Sequence, residues 1–558
     1  MKIKLVQYKR QRQCNVISIP QVKEKTFMKS FITLLSAILL ASTALLQAND
    51  PAKTSAKPNI LIILADDLGY SDIGCYGGEI HTPNLDRLAA GGVKFSEMYN
   101  TAKCFTTRAT LLTGVYYQRT NENFGNTATL GEVLRPAGYN TFWSGKQHAK
   151  FNPTTRGFDR FYGLIGGCQN HFNPGTEAVQ GQPVPAYKVA GNRWGLDGKN
   201  ESESNNFVPK DSKYFDTDAF TDRALRWLDE YQNENKPFLL YMAYTAPHWP
   251  LHAWPEDIAK YKGVYDGGYE LVRQARYNRQ IEMGLFDAKT APLTAMEIGE
   301  TKPSWEALSV EERSLEAKRM EIYAAMVDSL DQNIGRLIKK LEEQGKLDNT
   351  LIIFLSDNGA CAVDPKIDNA DPNAPMGTVA SYPSYGQNWA TVSSTPFRKW
   401  KTTSHEGGIC TPLIVHWPAG VKATKGWCRE SAHLVDIMPT ALAVSGAKFP
   451  GESKEKIIQP TDGVSLLPVF KGESLTRKNP LYFQYSKSAA IRDGQYKLVR
   501  LGPKWELYDM ANDKTETKNL AAQLPEIAQK MESQWLAWWE DCTGNSWTGK
   551  SPKEVKDE

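Results

Sequence analysis

The sequence predicts an α/β fold, a large sheet sandwiched by helices and joined to a smaller C-terminal antiparallel sheet with one helix. Three observations carry that expectation. Short unbroken apolar runs recur at 59–65, 237–244, 350–356 and 412–417, the texture of strands buried on both faces. Amphipathic stretches lie between these runs, so strands alternate with helices. From about residue 446 onward, short strands are set apart by turn signals such as Asp493-Gly494.

The elements follow in chain order. Residues 1–48 hold eight basic and one acidic residue, and Met28-Lys29-Ser30 opens an apolar run, 31–46, that ends in small residues up to Ala48. The run is shorter than the ~20 residues of a spanning helix. It reads as an export signal within an N-terminal extension 1–48, which implies a periplasmic or extracellular protein with no membrane attachment after signal cleavage. A linker, 49–57, leads to the first strand. Helices are expected at 84–90, where Gly91 is the stop, at 219–231, and from about 310 to 343, where Ile322, Met326, Leu330, Ile334, Leu337 and Leu341 recur at three- and four-residue spacing. The small sheet takes 481–485, 489–491, 496–501 and 505–508. An amphipathic helix at 524–539 covers it with Trp535, Trp538 and Trp539. The expected division is a large domain over 58–445 and a small subdomain over 446–558.

Composition narrows the function. The 558 residues are 41% hydrophobic and 23% charged, which is globular usage and excludes a collagenous or coiled-coil protein. Beyond residue 48, acidic residues outnumber basic ones, 62 to 58, so a nucleic-acid partner has no electrostatic support. The eight cysteines form no Cys-x-x-Cys pair, which argues against a zinc ribbon or a thioredoxin-type site. Export permits disulfides, but spacing does not pair them.

Two acidic pairs terminate buried strands. Asp66-Asp67 follows the first strand, and Asp357-Asn358-Gly359 follows the strand at 350–356. Ligands of open α/β sheets sit at the carboxyl ends of strands, so the two endings are expected to converge. Together they offer a hard, all-oxygen site suited to calcium or magnesium rather than zinc. The competing reading is two ordinary strand-end turns or helix caps. Cys104-Phe-Thr-Thr-Arg108-Ala-Thr-Leu-Leu-Thr-Gly114 places a cysteine where a loop enters a helix, a position at which helix amides and an adjacent arginine favour an anion. A small buried cysteine is the plainer alternative.

This segment resembles the sulfatase signature, Cys-x-Pro-Ser-Arg followed by a short helix ending in Thr-Gly. Its surroundings match in order: the Asn59 to Tyr70 run, His81-Thr-Pro-Asn-Leu-Asp-Arg-Leu-Ala89, Gly138-Tyr-Asn-Thr141 before Gly145-Lys-Gln-His148, Arg156-Gly-Phe-Asp159, Pro247-His248, Ser356-Asp-Asn-Gly359, Lys401 with Glu406-Gly-Gly408, and His433 to Pro439. The resemblance covers roughly 58 to 520. It implies an alkaline-phosphatase-like mixed sheet and an exported sulfuric-ester hydrolase. It further implies that Cys104 is oxidised by a formylglycine-generating maturase to formylglycine, whose hydrated aldehyde is the nucleophile. Asp66, Asp67, Asp357 and Asn358 would hold calcium, or magnesium in its place, with residue 104 completing the shell. Arg108 and Lys146 would orient the sulfate, His148 would take the proton that frees sulfate from residue 104, and His248 and Lys401 would act on the departing oxygen. The chain departs from the signature at Thr106, where the family has Pro, at Thr107, where it usually has Ser, and at Gln147 and Ala149-Lys150.

Two segments, 168–213 and 249–309, read as insertions at the edge of the site, carrying Trp194, Trp249, Trp254 and Trp305 with His171 and His252. Their indoles either stack on sugar rings or pack the insertions themselves. The expected substrate is a small-molecule or oligosaccharide sulfate ester, a sulfated carbohydrate by the reading of these walls, although a small aryl sulfate would need no different catalytic residues. A phosphodiesterase or phosphonate hydrolase of the same superfamily, and a glycan-binding relative in which Cys104 stays a thiol, are the alternatives.

Overall fold

The computed structural model describes residues 57–549 apart from 121–123, 198–202, 298–302, 424–425 and 452–457. The expected export signal lies outside these residues. Among the described residues no helix is long and apolar enough to cross a membrane, and seven cysteines are free thiols.

The large sheet is built from β1 (Asn59–Ala65), β2 (Val93–Tyr99), β3 (Asn140–Gly145), β4 (Arg160–Leu164), β5 (Trp194–Leu196), β6 (Glu203–Ser204), β7 (Phe238–Ala243), β8 (Thr350–Ser356), β9 (Cys410–His416), β10 (Trp427–Cys428) and β11 (Ala432–His433). Their spatial order is β10-β2-β9-β8-β1-β7-β3-β4-β5-β6, with β11 also on β2. β1 lies between β7 and β8, parallel to both, and Ala65 is level with Ser356 while Leu64 is level with Ala243. β3 runs parallel to β7 with Gly145 beside Ala243. β9 is antiparallel to β8, and β2 is antiparallel to β9 with Tyr99 level with Cys410. One edge of the sheet therefore collects the ends of β1, β2, β3, β7 and β8 and the start of β9.

Alternate residues of the central strands serve two cores, which is why the runs are apolar throughout. Leu61, Ile63, Leu240, Met242 and Phe354 pack with the helix Val310–Glu343. Ile60, Ile62, Leu64, Leu239, Tyr241 and Leu355 pack on the opposite face with Ala109, Leu111 and Leu112 of the helix Cys104–Thr113. The helix expected at 219–231 runs Asp216–Glu230, and the strand expected at 412–417 begins at Cys410.

The small sheet is the antiparallel succession β12 (Leu481–Tyr485), β13 (Ser488–Asp493), β14 (Tyr496–Arg500) and β15 (Glu506–Asp509). The helix Pro525–Thr543 buries Met531, Trp535 and Trp538 against Ala489, Ile491, Leu498 and Leu507, while Trp539 is only partly buried and stacks on Trp535. A buried ion cluster joins this sheet to the large one. Lys497 Nζ on β14 lies 2.6 Å from Glu406 Oε1 and 2.7 Å from Glu516 Oε1. The Glu406 amide donates to Glu516 Oε2 at 2.9 Å, and the Ser404 amide donates to Ser488 Oγ at 2.7 Å.

Candidate active site

Most of the functional side chains follow strand ends at the shared edge, while Lys401 comes from the long connection between β8 and β9. Asp66 and Asp67 leave β1, with Asp67 at φ +68°, a left-handed conformation that a non-glycine residue adopts only when its surroundings enforce it. Here the enforcement is visible: the Asp67 amide donates to Asp357 Oδ1 at 3.2 Å, and Asn358 Nδ2 donates to Asp67 Oδ1 at 2.7 Å. Gly359 is required where β8 ends, because a Cβ there would lie 1.8 Å from the Gly407 carbonyl oxygen. That close approach brings the Lys401 to Glu406 segment over the site.

Cys104 is the first residue of its helix, buried, with its Sγ grouped within 4.8 Å of carboxylate oxygens of Asp66 and Asp357. Arg108, one turn later, donates to Asp357 Oδ2 at 2.8 Å and to the Lys146 carbonyl at 3.0 Å, and stands 3.6 Å from Asp66 Oδ2. Lys146 Nζ meets Asp66 Oδ2 at 2.5 Å, and Lys401 Nζ meets Asp67 Oδ1 at 2.5 Å. His248 Nε2 is 3.5 Å from Asp67 Oδ2, while its Nδ1 donates to the Trp249 carbonyl at 2.6 Å. His148, at φ +62°, packs its ring 6.0 Å from that of Phe105, and the missing side chain of Gly167 leaves it room. The structure thus brings together Asp66, Asp67, Cys104, Arg108, Lys146, His248, Asp357, Asn358 and Lys401, with His148 at their border. Arg108 and Lys146, expected around an anion, and Lys401, expected at a leaving group, are all paired with carboxylates.

Burial and charge act in opposition here. Burial raises the Asp357 carboxyl to about 6, with Asp66 adding to the rise against Arg108. Burial pushes Asp67 the same way, but the Lys401 ammonium overcomes it and holds this carboxyl far below the usual range. For Lys146 and Lys401 burial works against the charge, and Asp66 and Asp67 respectively outweigh it and raise both ammonium groups. Burial lowers both His148 and His248 well below the ordinary imidazole value.

Three buried oxygens at the centre, Asp66 Oδ1, Asp67 Oδ2 and Asn358 Oδ1, have no hydrogen-bond partner. Leaving such atoms bare is costly, so a cation fits them. The acidic cluster can hold a metal ion, and its donors are hard oxygens. Three carboxylates face three fixed cations, so a divalent ion and an anionic ester entering together leave the site close to charge balance.

Residues outside the expected set also shape the site. His171, from the first insertion, is held at both ends: Nδ1 lies 2.9 Å from Asp216 Oδ2, and Nε2 donates to the His248 carbonyl at 3.0 Å. No local pattern announced this contact, which joins residues 77 apart. Of the insertion tryptophans, Trp194 is fully buried between Phe207 and Phe220, and Trp305 packs on Tyr269 and Trp389, so both serve packing. Trp254 packs on Phe172 and Phe215, His252 is fully buried, and Trp249 alone of the four adjoins a site residue.

Residues 58–447 match the Sulfatase family model, and residues 399–538 match the model described as N-sulphoglucosamine sulphohydrolase, C-terminal. An uncharacterized sulfatase of Schizosaccharomyces pombe is 34% identical, over 87% of this chain and 94% of its own. An arylsulfatase of Klebsiella aerogenes is 32% identical, over 80% of this chain and 99% of its own. Among solved structures, Ps i-CgsB in complex with k-i-k-neocarrahexaose superposes with a TM-score of 0.62 at 26% identity, covering 89% of this chain and 96% of that one. A phosphonate monoester hydrolase of Agrobacterium radiobacter, at 18% identity and a TM-score of 0.55 over 87% of this chain and 96% of its own, shares the fold.

Proposed function

The chain belongs to the sulfatase family and is a sulfuric ester hydrolase, and from that premise we propose that it acts on sulfate esters of sulfated glycans, that it is exported, that residues 58–445 form its catalytic part with 446–558 as the subdomain, and that Cys104 works as formylglycine after a maturase has oxidised it. The observation that carries this reading is the convergence of Asp66, Asp67, Asp357 and Asn358, with three unpartnered oxygens, directly beside Cys104. Asp66, Asp67, Asp357 and Asn358 would hold calcium, or magnesium in its place, which supplies Lewis acidity toward a sulfate oxygen. Formylglycine would supply an aldehyde hydrate as the oxygen nucleophile toward sulfur, the S–O bond to the alcohol being the one that breaks.

The remaining work falls to the chain's own side chains. Arg108 and Lys146 hold Asp357 and Asp66 in place and present N–H donors toward the sulfate, Arg108 as a planar fork and Lys146 as a point charge. His148 Nδ1, buried and without a hydrogen-bond partner, is open to accept a proton from the residue-104 side chain. His248 spends its Nδ1 proton on the Trp249 carbonyl, so its Nε2 faces the site as the acceptor end. Lys401, an ammonium beside Asp67, is then the donor that meets the departing alcohol oxygen, with His248 on the other oxygen of the same carboxylate.

The test has two readings from one preparation made in the native host. The peptide from Cys104 to Arg108 should show the mass of formylglycine, and the protein should release sulfate from nitrophenyl sulfate far faster than phosphate from nitrophenyl phosphate. An unmodified thiol in a fully active preparation refutes the nucleophile, and a preference for phosphate refutes the substrate class.

A further inference from the structure

A second cationic position stands on the His248 side of the site. The ring of Trp249 lies 4.4 Å from that of His248, and its indole is about nine-tenths buried with Nε1 lacking a hydrogen-bond partner. Lys188 holds its Nζ 4.7 Å over the same ring. These two separations keep the ammonium within about 9 Å of the His248 ring centre. Lys188 is exposed, and it forms no ion pair with a described residue. The backbone beside it is tied down: the Ala186 amide donates to the Val379 carbonyl at 3.0 Å, and the Tyr187 amide donates to Asn369 Oδ1 at 3.3 Å. An ammonium braced on an aromatic face gives up little freedom when it binds, and it retains its donors for an anion.

The three cations inside the site are each matched by a carboxylate, whereas Lys188 is not. A monoanionic ester leaves this outer charge unused. We propose that Lys188, braced on Trp249, forms an anion subsite on the leaving-group side, so that the preferred substrates carry a second anionic group, a sulfate or a carboxylate, on the sugar that is released. The inference rests on the hydrolase reading above. It deepens that reading by naming polyanionic glycans, as opposed to singly sulfated neutral ones, as the substrate class.

The probes are nitrophenyl sulfate and two analogues whose ring carries a carboxymethyl or a sulfomethyl group, assayed on the metal-loaded full chain. At least one analogue should be preferred about fivefold in kcat/KM, the range of a solvent-facing charge pair, and the two arms tell carboxylate from sulfonate chemistry. Lys188→Gln should bring that preference close to one, and added salt should shrink it in the unaltered chain. Calorimetric affinities of the three esters for the Cys104→Ala protein give the same ratio without turnover. Loss of sulfate release with the affinity ratio intact counts against the hydrolase reading alone. Equal treatment of the three esters, or a preference that survives Lys188→Gln, overturns the subsite.

Discussion

Replacing Lys497 with methionine tests how the two sheets are held together. The lysine is fully buried, with a carboxylate of Glu406 on one side and of Glu516 on the other. Methionine fills nearly the same volume, so the change removes charge more than packing. Two carboxyl groups then share a buried space without their cation, for which the expected loss is about 3–5 kcal/mol at pH 7. Burial already raises Glu406, and Glu516 adds to that rise; burial also pushes Glu516 upward, but Lys497 and His405 hold it down. In the variant that restraint is gone, and one carboxyl binds a proton in the folded state above the unfolded value of about 4.3. A raised carboxyl is worth most below the unfolded pKa, and its contribution is lost as pH rises through the folded one. The variant should therefore recover on acidification by up to about 1.4 kcal/mol per pH unit, or about 2 kcal/mol between pH 7 and pH 5.5. Denaturant unfolding followed by tryptophan fluorescence reads this directly, since Trp535 and Trp538 lie in the helix that covers the small sheet and Trp505, just before β15, packs against the same cluster. A loss below about 1 kcal/mol, or one that deepens as pH falls, refutes the reasoning.

Four further outcomes are expected. Chelation should abolish hydrolysis and lower the melting temperature, and calcium or magnesium at about a hundredfold over its Kd should return about 2.7 kcal/mol, with zinc less effective in restoring activity. Cys104→Ser should abolish turnover in a host that modifies only cysteine while leaving the melting temperature within a few degrees. Thr106→Pro, at the third helical position where the amide has no intrahelical acceptor, should raise or leave unchanged the aldehyde fraction measured by hydrazide labelling. Loss of His248 or Lys401 should slow esters of sugar alcohols far more than nitrophenyl sulfate, whereas loss of Arg108 should slow both alike; equal losses for His248→Ala on the two esters would place this histidine elsewhere.

The central strands were legible because both faces are buried, which leaves an unbroken apolar run at 59–65 and 350–356. β2 was not. Its Lys94 and Glu97 interrupt the pattern, and Glu97 is buried only because Lys514 and Arg492, about four hundred residues on, come to meet it. The site residues were legible as strand-end acids and as ordered pieces resembling a family signature. Their mutual pairing was not, since the Arg108–Asp357 and Lys401–Asp67 contacts depend on strand register. The contacts of His171 with Asp216 and the His248 carbonyl were hidden for the same reason: one histidine in a long insertion carries no sign of the carbonyl it will meet.

Cys104 is 1% exposed, sealed beneath strand ends that the chain supplies only later. Asp357 and Lys401 lie some 250 and 300 residues further along. At about 5–20 residues per second, a ribosome takes about 15 to 60 s to travel from residue 104 to residue 401. Until that stretch exists, β8 and β9 cannot pair and the helix that begins at Cys104 has nothing to close over it. If Cys104 is oxidised as proposed above, the modifying enzyme would have its opening in that interval, while the thiol still lies in an open segment. Once β9 docks, Cys104 is buried, so on that proposal the yield of active protein would be a race between folding and modification. Slower translation downstream of residue 104, or a later-folding C-terminal half, would favour modification.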